Sequence, residues 1–189
     1  VSALPRLYAD NDVAGMVYGP GDDPDALLAG FVRTLLGEGW DVLGILQRSV
    51  PGATSRNRAV AFDLVPAGEW PEPPVAGVRA PGRAADALPE LGRRLAAVLH
   101  RRPDLVVLNR FGRAEVAGGG LVDVLGRALE GGVPVLVAVP AGLYDTWIAG
   151  TGGLAVTIEP RAERLRGWWA ALGNAPSPRR APPACPHEP

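Results

Sequence analysis

The sequence predicts an α/β fold: a three-layer α/β/α domain on a mostly parallel sheet, with a small antiparallel β excursion. Two observations predict it. Short apolar runs rich in β-branched residues recur along the chain and end in Gly, Pro or polar residues, as strands buried on both faces do. Segments with helical apolar spacing lie between them, and that alternation argues for parallel strands joined by crossover helices. At 189 residues and 47% hydrophobic, the chain is large and apolar enough for a single core.

Residues 13–18 (VAGMVY) form the first expected strand, which stops at Gly19-Pro20-Gly21. Asp23 then reads as an N-cap and Pro24 as the first helical residue. Leu27, Leu28, Phe31, Leu35 and Leu36 follow at helical spacing, and Gly37 and Gly39 end the helix. A second strand spans 42–46 and closes with Gln47-Arg48. Residues 49–82 are rich in Pro, Gly and Arg; within them 59–65 could pair with 75–79. Helical periodicity returns over 85–100 through Leu88, Leu91, Leu95, Val98 and Leu99. The remaining expected elements are a strand at 104–109, a helix at 121–129, a strand at 133–139, a short helix at 143–149, a strand at 154–158 and a helix at 162–172. The domain is thus expected over 1–172. From 173 to 189 the composition is Pro, Arg and Ala without apolar period, which predicts a disordered tail.

Bulk properties exclude several classes. A net charge of −1 provides no field for nucleic acid or an anionic membrane. Asp, Arg or Gly interrupts every apolar run before it could span a bilayer. Residues 1–12 lack a basic stretch leading into an apolar one, so no signal peptide is expected. The single cysteine, Cys185, cannot form an intrachain disulfide and suits a reducing compartment; a soluble, cytoplasmic protein is the expectation, with a homo-oligomer left open. All 19 basic side chains are Arg, so no catalytic or phosphate-binding lysine can come from this chain.

The most informative run is 104–115, Asp-Leu-Val-Val-Leu-Asn-Arg-Phe-Gly-Arg-Ala-Glu. It places Asn109, Arg110, Gly112, Arg113 and Glu115 at a strand's carboxyl end, where ligands of open α/β sheets bind. The guanidinium groups of Arg110 and Arg113 match oxyanion geometry; the alternative is an Arg–Glu network with Glu115 that stiffens the loop. Gln47 and Arg48 end a strand at the same expected rim. Arg56 and Arg58, in the irregular segment, are read as solvated or as part of a loop that closes over an anion.

The turn Tyr18-Gly-Pro-Gly-Asp-Asp-Pro sits where a phosphate-binding loop would. Gly19 and Gly21 suit that role, but Asp22, Asp23 and Asp25 stand where Lys and Ser/Thr are needed. Like charges a few ångströms apart cost on the order of a kcal/mol near a surface, so these carboxylates oppose a phosphate. Asp23 and Asp25 are expected to satisfy the helix N-terminus themselves, and direct cation binding by the aspartates is a competing reading. No metal site is assigned: Cys185-Pro-His-Glu does not complete a zinc site. His100 reads as a helix C-cap and Trp168 and Trp169 as core or interface anchors, and two histidines support no nucleophilic triad.

The glycine turn, the Gly-Ile-Leu-Gln-Arg strand end, the irregular excursion, the Asn-Arg-Phe-Gly-Arg-Ala-Glu segment and Val-Pro-Val-Leu-Val-Ala-Val-Pro occur in an order that resembles an uncharacterised bacterial family, domain-of-unknown-function family 2478. That family is similar to the small archaeal and eukaryotic P-loop nucleoside-triphosphatases, and the resemblance, over about residues 13 to 160, implies a P-loop-NTPase-like topology. The triphosphatases read Asp-Glu-Ile-Gly-Lys-Met-Glu where this chain has residues 109–115; Gly112 and Glu115 match, while the acidic pair is lost. The Gly-Lys-Thr end of their loop is missing as well. The uncharacterised family is often encoded near molybdate transport genes, which implies a link to molybdenum or another oxyanion. Its usual cysteines in the β excursion are absent here.

The expectation is therefore a degenerate P-loop-like protein that binds a nucleotide or a small oxyanion without efficient hydrolysis. The alternatives are a weak nucleoside-triphosphatase, with Mg²⁺ on Asp22 or Asp23 and Glu115, and a ligand-free interaction module.

Overall fold

A computed structural model describes residues 12–49, 60–66 and 84–173. In chain order the elements are β1 (Val13–Tyr18), α1 (Pro24–Gly37), β2 (Val42–Ser49), β3 (Val60–Val65), α2 (Ala84–Val98), β4 (Leu105–Leu108), α3 (Arg113–Val116), α4 (Val122–Glu130), β5 (Val135–Pro140), α5 (Tyr144–Gly150), β6 (Val156–Ile158) and α6 (Ala162–Ala171). The described strands form one sheet in the order β3-β2-β4-β5-β1-β6. Every pairing in it is parallel except β2 with β3. This mixed α/β sheet is consistent with a P-loop-NTPase-like fold.

Alternation along the strands builds the two helical layers. In β4, Val106 and Leu108 face a core shared with α2, α4 and Trp147 of α5, whereas Leu105 and Val107 face a second core with α1 and α6. Both faces are covered, which is why these strands read as unbroken apolar runs. One close approach requires a glycine: a Cβ at Gly15 would lie 2.6 Å from Trp147 Nε1, so the bare backbone of β1 seats the indole. At the opposite edge, Asp104 Oδ2 accepts from Asp41 N at 2.8 Å and pins the starts of β2 and β4.

α1 leaves β1 on one face, while the helices joining β2 to β4 and β4 to β5 lie on the other. Strand order therefore reverses beside β1, the kind of point at which doubly wound sheets open a crevice.

Two elements depart from the sequence expectation in ways that shape the site. β2 runs on to Ser49 instead of ending at Leu46, because β3 supplies a partner after β4 stops pairing at Ile45. Residues 60–65 thus add to the main sheet as an edge strand; the expected partner segment 75–79 lies outside the described residues. Residues 113–116, expected as part of a loop, form the helical turn α3. The tail from 174 onward, with Cys185, also lies outside them, as do Arg56 and Arg58.

Candidate functional site

Two βα turns meet the carboxyl edge of the sheet. In the glycine turn, Gly19 N donates to Asp22 Oδ2 at 2.8 Å and Asp22 N returns a bond to Gly19 O at 3.3 Å. Gly21 takes φ of +100°, a left-handed conformation that favours glycine, and closes the turn. Asp23 caps α1, its Oδ1 accepting from Ala26 N at 3.0 Å. The donors a phosphate would use at Gly19 and Ala26 are therefore taken by carboxylates of the turn itself.

Asp25 does something else. Expected to help cap α1, it turns away from the helix end and meets Arg110, whose Nη2 lies 2.9 Å from both carboxylate oxygens while Nε lies 3.3 Å from Oδ1. The same carboxylate accepts a long 3.4 Å contact from Gln47 Nε2, and Gln47 Oε1 accepts from Asn109 Nδ2 at 3.1 Å. Arg110 also lies 5.5 Å over the Tyr18 ring, within cation–π range. Tyr18, Asp25, Gln47, Asn109 and Arg110 thus tie the ends of β1, β2 and β4 to the first turn of α1. Burial raises the Tyr18 pKa and nearby Asp25 adds to the rise, against the lowering influence of Arg110.

The network fixes its own amide orientations. Gln47 must present its N–H to the Asp25 carboxylate, so its oxygen faces Asn109, and Asn109 must answer with Nδ2. That leaves Asn109 Oδ1 buried without a partner in a residue only 2% exposed. A buried acceptor left unpaired costs about 1–3 kcal/mol, and this oxygen has essentially no surface open to solvent, so the cost is carried inside the network.

The second turn is held by Glu115. Its Oε2 accepts from Gly112 N at 2.9 Å and its Oε1 from Leu121 N at 3.1 Å, so one nearly buried carboxylate links the start of α3 to the start of α4. Gly120, at φ of +60°, packs its backbone against this carboxylate, where a Cβ would collide with Oε1. The Arg–Glu network considered as an alternative does not form among the described residues: Arg110 pairs with Asp25, and Glu115 serves backbone N–H groups. Arg113 is exposed and engages no partner among the described residues.

A pocket of about 260 Å³ opens beside this turn. Its lining combines Gln47, Asn109, Arg110 and Arg113 with Phe62, Leu88 and Leu121, and the surface exposed to the cavity is mostly apolar. The β2–β3 register sets Gln47 opposite Phe62, which brings both to the wall. The structure thus gathers Gln47, Asn109, Arg110, Gly112, Arg113 and Glu115 around one cavity, and leaves Gly19, Gly21, Asp22 and Asp23 in the separate glycine turn. Arg48 continues β2 opposite Ala61; its side chain lies outside the described residues.

Tyr18, Asp25, Phe62 and Leu88 were not singled out for this site from the sequence. A signal existed for Asp25 alone: a strand-end arginine in a half-buried setting calls for a carboxylate, and three stand in the neighbouring turn. Among the described residues, no group of three or more His, Cys, Asp or Glu is placed to hold a metal ion, and no helix is long and apolar enough to cross a membrane.

Comparison with known proteins adds an assignment. The family described as "Protein of unknown function (DUF2478)" matches residues 13–168, most of the chain. The chain belongs to this family. A curated relative is the "Molybdenum import ATP-binding protein ModC 2" of Bradyrhizobium diazoefficiens, 34% identical over 174 residues. The match takes in 89% of this chain and 19% of that protein, so the chain spans about a fifth of its relative's length. No solved structure matches.

Proposed function

We propose that this domain binds a small anionic ligand, a nucleotide or an oxyanion such as molybdate, at the strand-end pocket and does not hydrolyse it efficiently. The observation that carries the reading is the pocket itself. It lies where β2 and β4 end, with an unsatisfied Asn109 in its wall and an uncommitted Arg113 beside it.

The case against hydrolysis is chemical. A phosphohydrolase of this layout needs a carboxylate where Asn109 stands, and Asn can neither supply charge nor act as a base. The chain has no lysine for the β/γ-phosphates, and the glycine turn spends its own donors on Asp22 and Asp23. Mg²⁺ held jointly by Asp22 or Asp23 and Glu115 would have to compete with backbone N–H groups already bonded to each of them. The relative named for molybdenum import and ATP binding supports both ligand classes for this domain.

Thermal shift with molybdate, tungstate, phosphate, ATP and GTP, each with and without Mg²⁺, tests the proposal. A ligand at 100 times its Kd should stabilise by about 2.7 kcal/mol, a rise in Tm of several degrees. No shift with any of them overturns the binding reading. Mg²⁺-dependent phosphate release from ATP or GTP, abolished by Glu115→Gln in a folded variant, would establish a weak triphosphatase instead.

A further inference from the structure

We infer that the pocket takes a flat nucleobase-type heteroaromatic ring carrying a phosphate, in preference to a bare tetrahedral oxyanion. The inference rests on the binding reading above and decides between its two ligand classes. Four features of the cavity point the same way.

Phe62, Leu88 and Leu121 offer carbon to a ligand, and Phe62 is an aromatic among them. A dianion would lose hydration against that wall with nothing to replace it. A heteroaromatic ring gains there, by apolar burial and by stacking.

Two of the charged groups in the lining are already engaged. Arg110 is neutralised by a two-oxygen contact with Asp25, and the Glu115 carboxylate lies in the same wall. That leaves Arg113 as the uncommitted cation among the described residues of the lining, and one exposed guanidinium does not compensate a fully dehydrated dianion.

The amides of Gln47 and Asn109 line the same cavity as the apolar side chains, Gln47 beside its cross-strand neighbour Phe62. The ring N–H and exocyclic amino groups of a base are donors of the kind that amide side chains pair with. Molybdate, tungstate and sulfate, fully ionised near neutral pH, supply none.

The size and the remaining cation complete the fit. About 260 Å³ lies just below the usual span of small-molecule sites, roughly 300–1,000 Å³, and suits one ring system. Arg113, exposed beside the cavity, is free to hold a phosphate that stays hydrated on its outer side. The phosphate is thus assigned to Arg113, because the glycine turn is filled by its own aspartates.

Isothermal titration of the full chain with GMP, AMP, guanosine, adenosine, inorganic phosphate and molybdate tests the inference. At least one nucleoside monophosphate should bind ten-fold or more tightly than phosphate or molybdate. Arg113→Ala should weaken that monophosphate about 5- to 20-fold and leave its nucleoside unchanged. Phe62→Ala should weaken both alike, with urea midpoints confirming that each variant is folded. Molybdate or phosphate binding as tightly as any nucleotide would overturn the ring assignment and leave the general binding reading standing. Silence from all six ligands would remove both. Nucleotide binding insensitive to Arg113→Ala and Phe62→Ala would overturn the assignment to this pocket.

Discussion

The two turns at the carboxyl edge of the sheet, Gly19–Asp23 after β1 and Asn109–Gly112 after β4, are built from similar parts and finish in opposite states. Both combine glycine with a carboxylate three residues on that accepts from a glycine N–H: Asp22 for Gly19, Glu115 for Gly112. In the first, that carboxylate is exposed and fills the place a ligand would take. In the second it is nearly buried, reaches across to Leu121 N, and a pocket opens beside it. The same local motif stands exposed in one turn and nearly buried beside a cavity in the other. On the proposed reading, ligand binding rests on the second turn, because the donors of the glycine turn at Gly19 and Ala26 are taken.

The sharpest break in that contrast is Glu115→Ala. It leaves the Gly112 and Leu121 N–H groups without a partner. Charge-assisted bonds contribute about 1.5–3 kcal/mol each. A loss near 3 kcal/mol, a Tm drop of roughly 6–12 °C, is the expected outcome by calorimetry. A drop under about 2 °C would mean that the second turn stands without its prop.

The bridge between the turns comes next. Asp25 and Arg110 are mostly shielded, with side-chain exposures of 14% and 33%, and their contact is bidentate. Their coupling should exceed the 0.2–1 kcal/mol of exposed pairs and reach about 1–2 kcal/mol in a double-mutant cycle of Asp25→Ala and Arg110→Ala in urea. Coupling near zero would make the two turns energetically independent.

Asp22→Ala tests the closed turn. It removes one exposed bond, so the stability change should stay within about 0.5–1 kcal/mol. Its informative readout is phosphate titration by NMR: freeing Gly19 N should produce anion-dependent shifts in the glycine turn that the parent chain lacks. Identical titrations of parent and variant would show that Asp22 is not what shuts the loop.

The smallest effect is the alkaline dependence of Tyr18. Its raised pKa means that between the unfolded and folded values the native state holds a proton the unfolded state has released. Its contribution to stability is therefore full below the unfolded pKa, near 10, and is lost as pH rises through the folded value. Difference absorbance titration against Tyr18→Phe should show a tyrosine ionising above pH 10, and Asp25→Asn should lower its midpoint. An ionisation below pH 10 would remove Tyr18 from the network.

Much of the fold was legible because the apolar runs and helical spacings are local. The strand at residues 13–18 and the Asp23–Pro24 helix start stand where the pattern puts them. The position of Asn109 and Arg110 was legible for a related reason: a buried strand ends where its β-branched run ends, and polar residues after it must reach the rim. What the pattern could not carry were partners distant in sequence. Asp25 and Arg110 are 85 residues apart, and three aspartates in one turn are equivalent until α1 is docked. Gln47 was marked as a strand end, yet β2 continues, because an edge strand supplied from residues 60–65 offers it hydrogen bonds.

The sequence by itself determined the α/β layering, the lysine-free chemistry and the strand end at Asn109. These follow from side-chain type and short-range period. Tertiary structure alone decided that Arg110 is paired with Asp25, that Glu115 bonds two backbone N–H groups, and that Phe62 and Leu88 line one cavity with the strand-end amides. Each of those depends on sheet register and helix docking, which set the distances between groups that the chain places far apart.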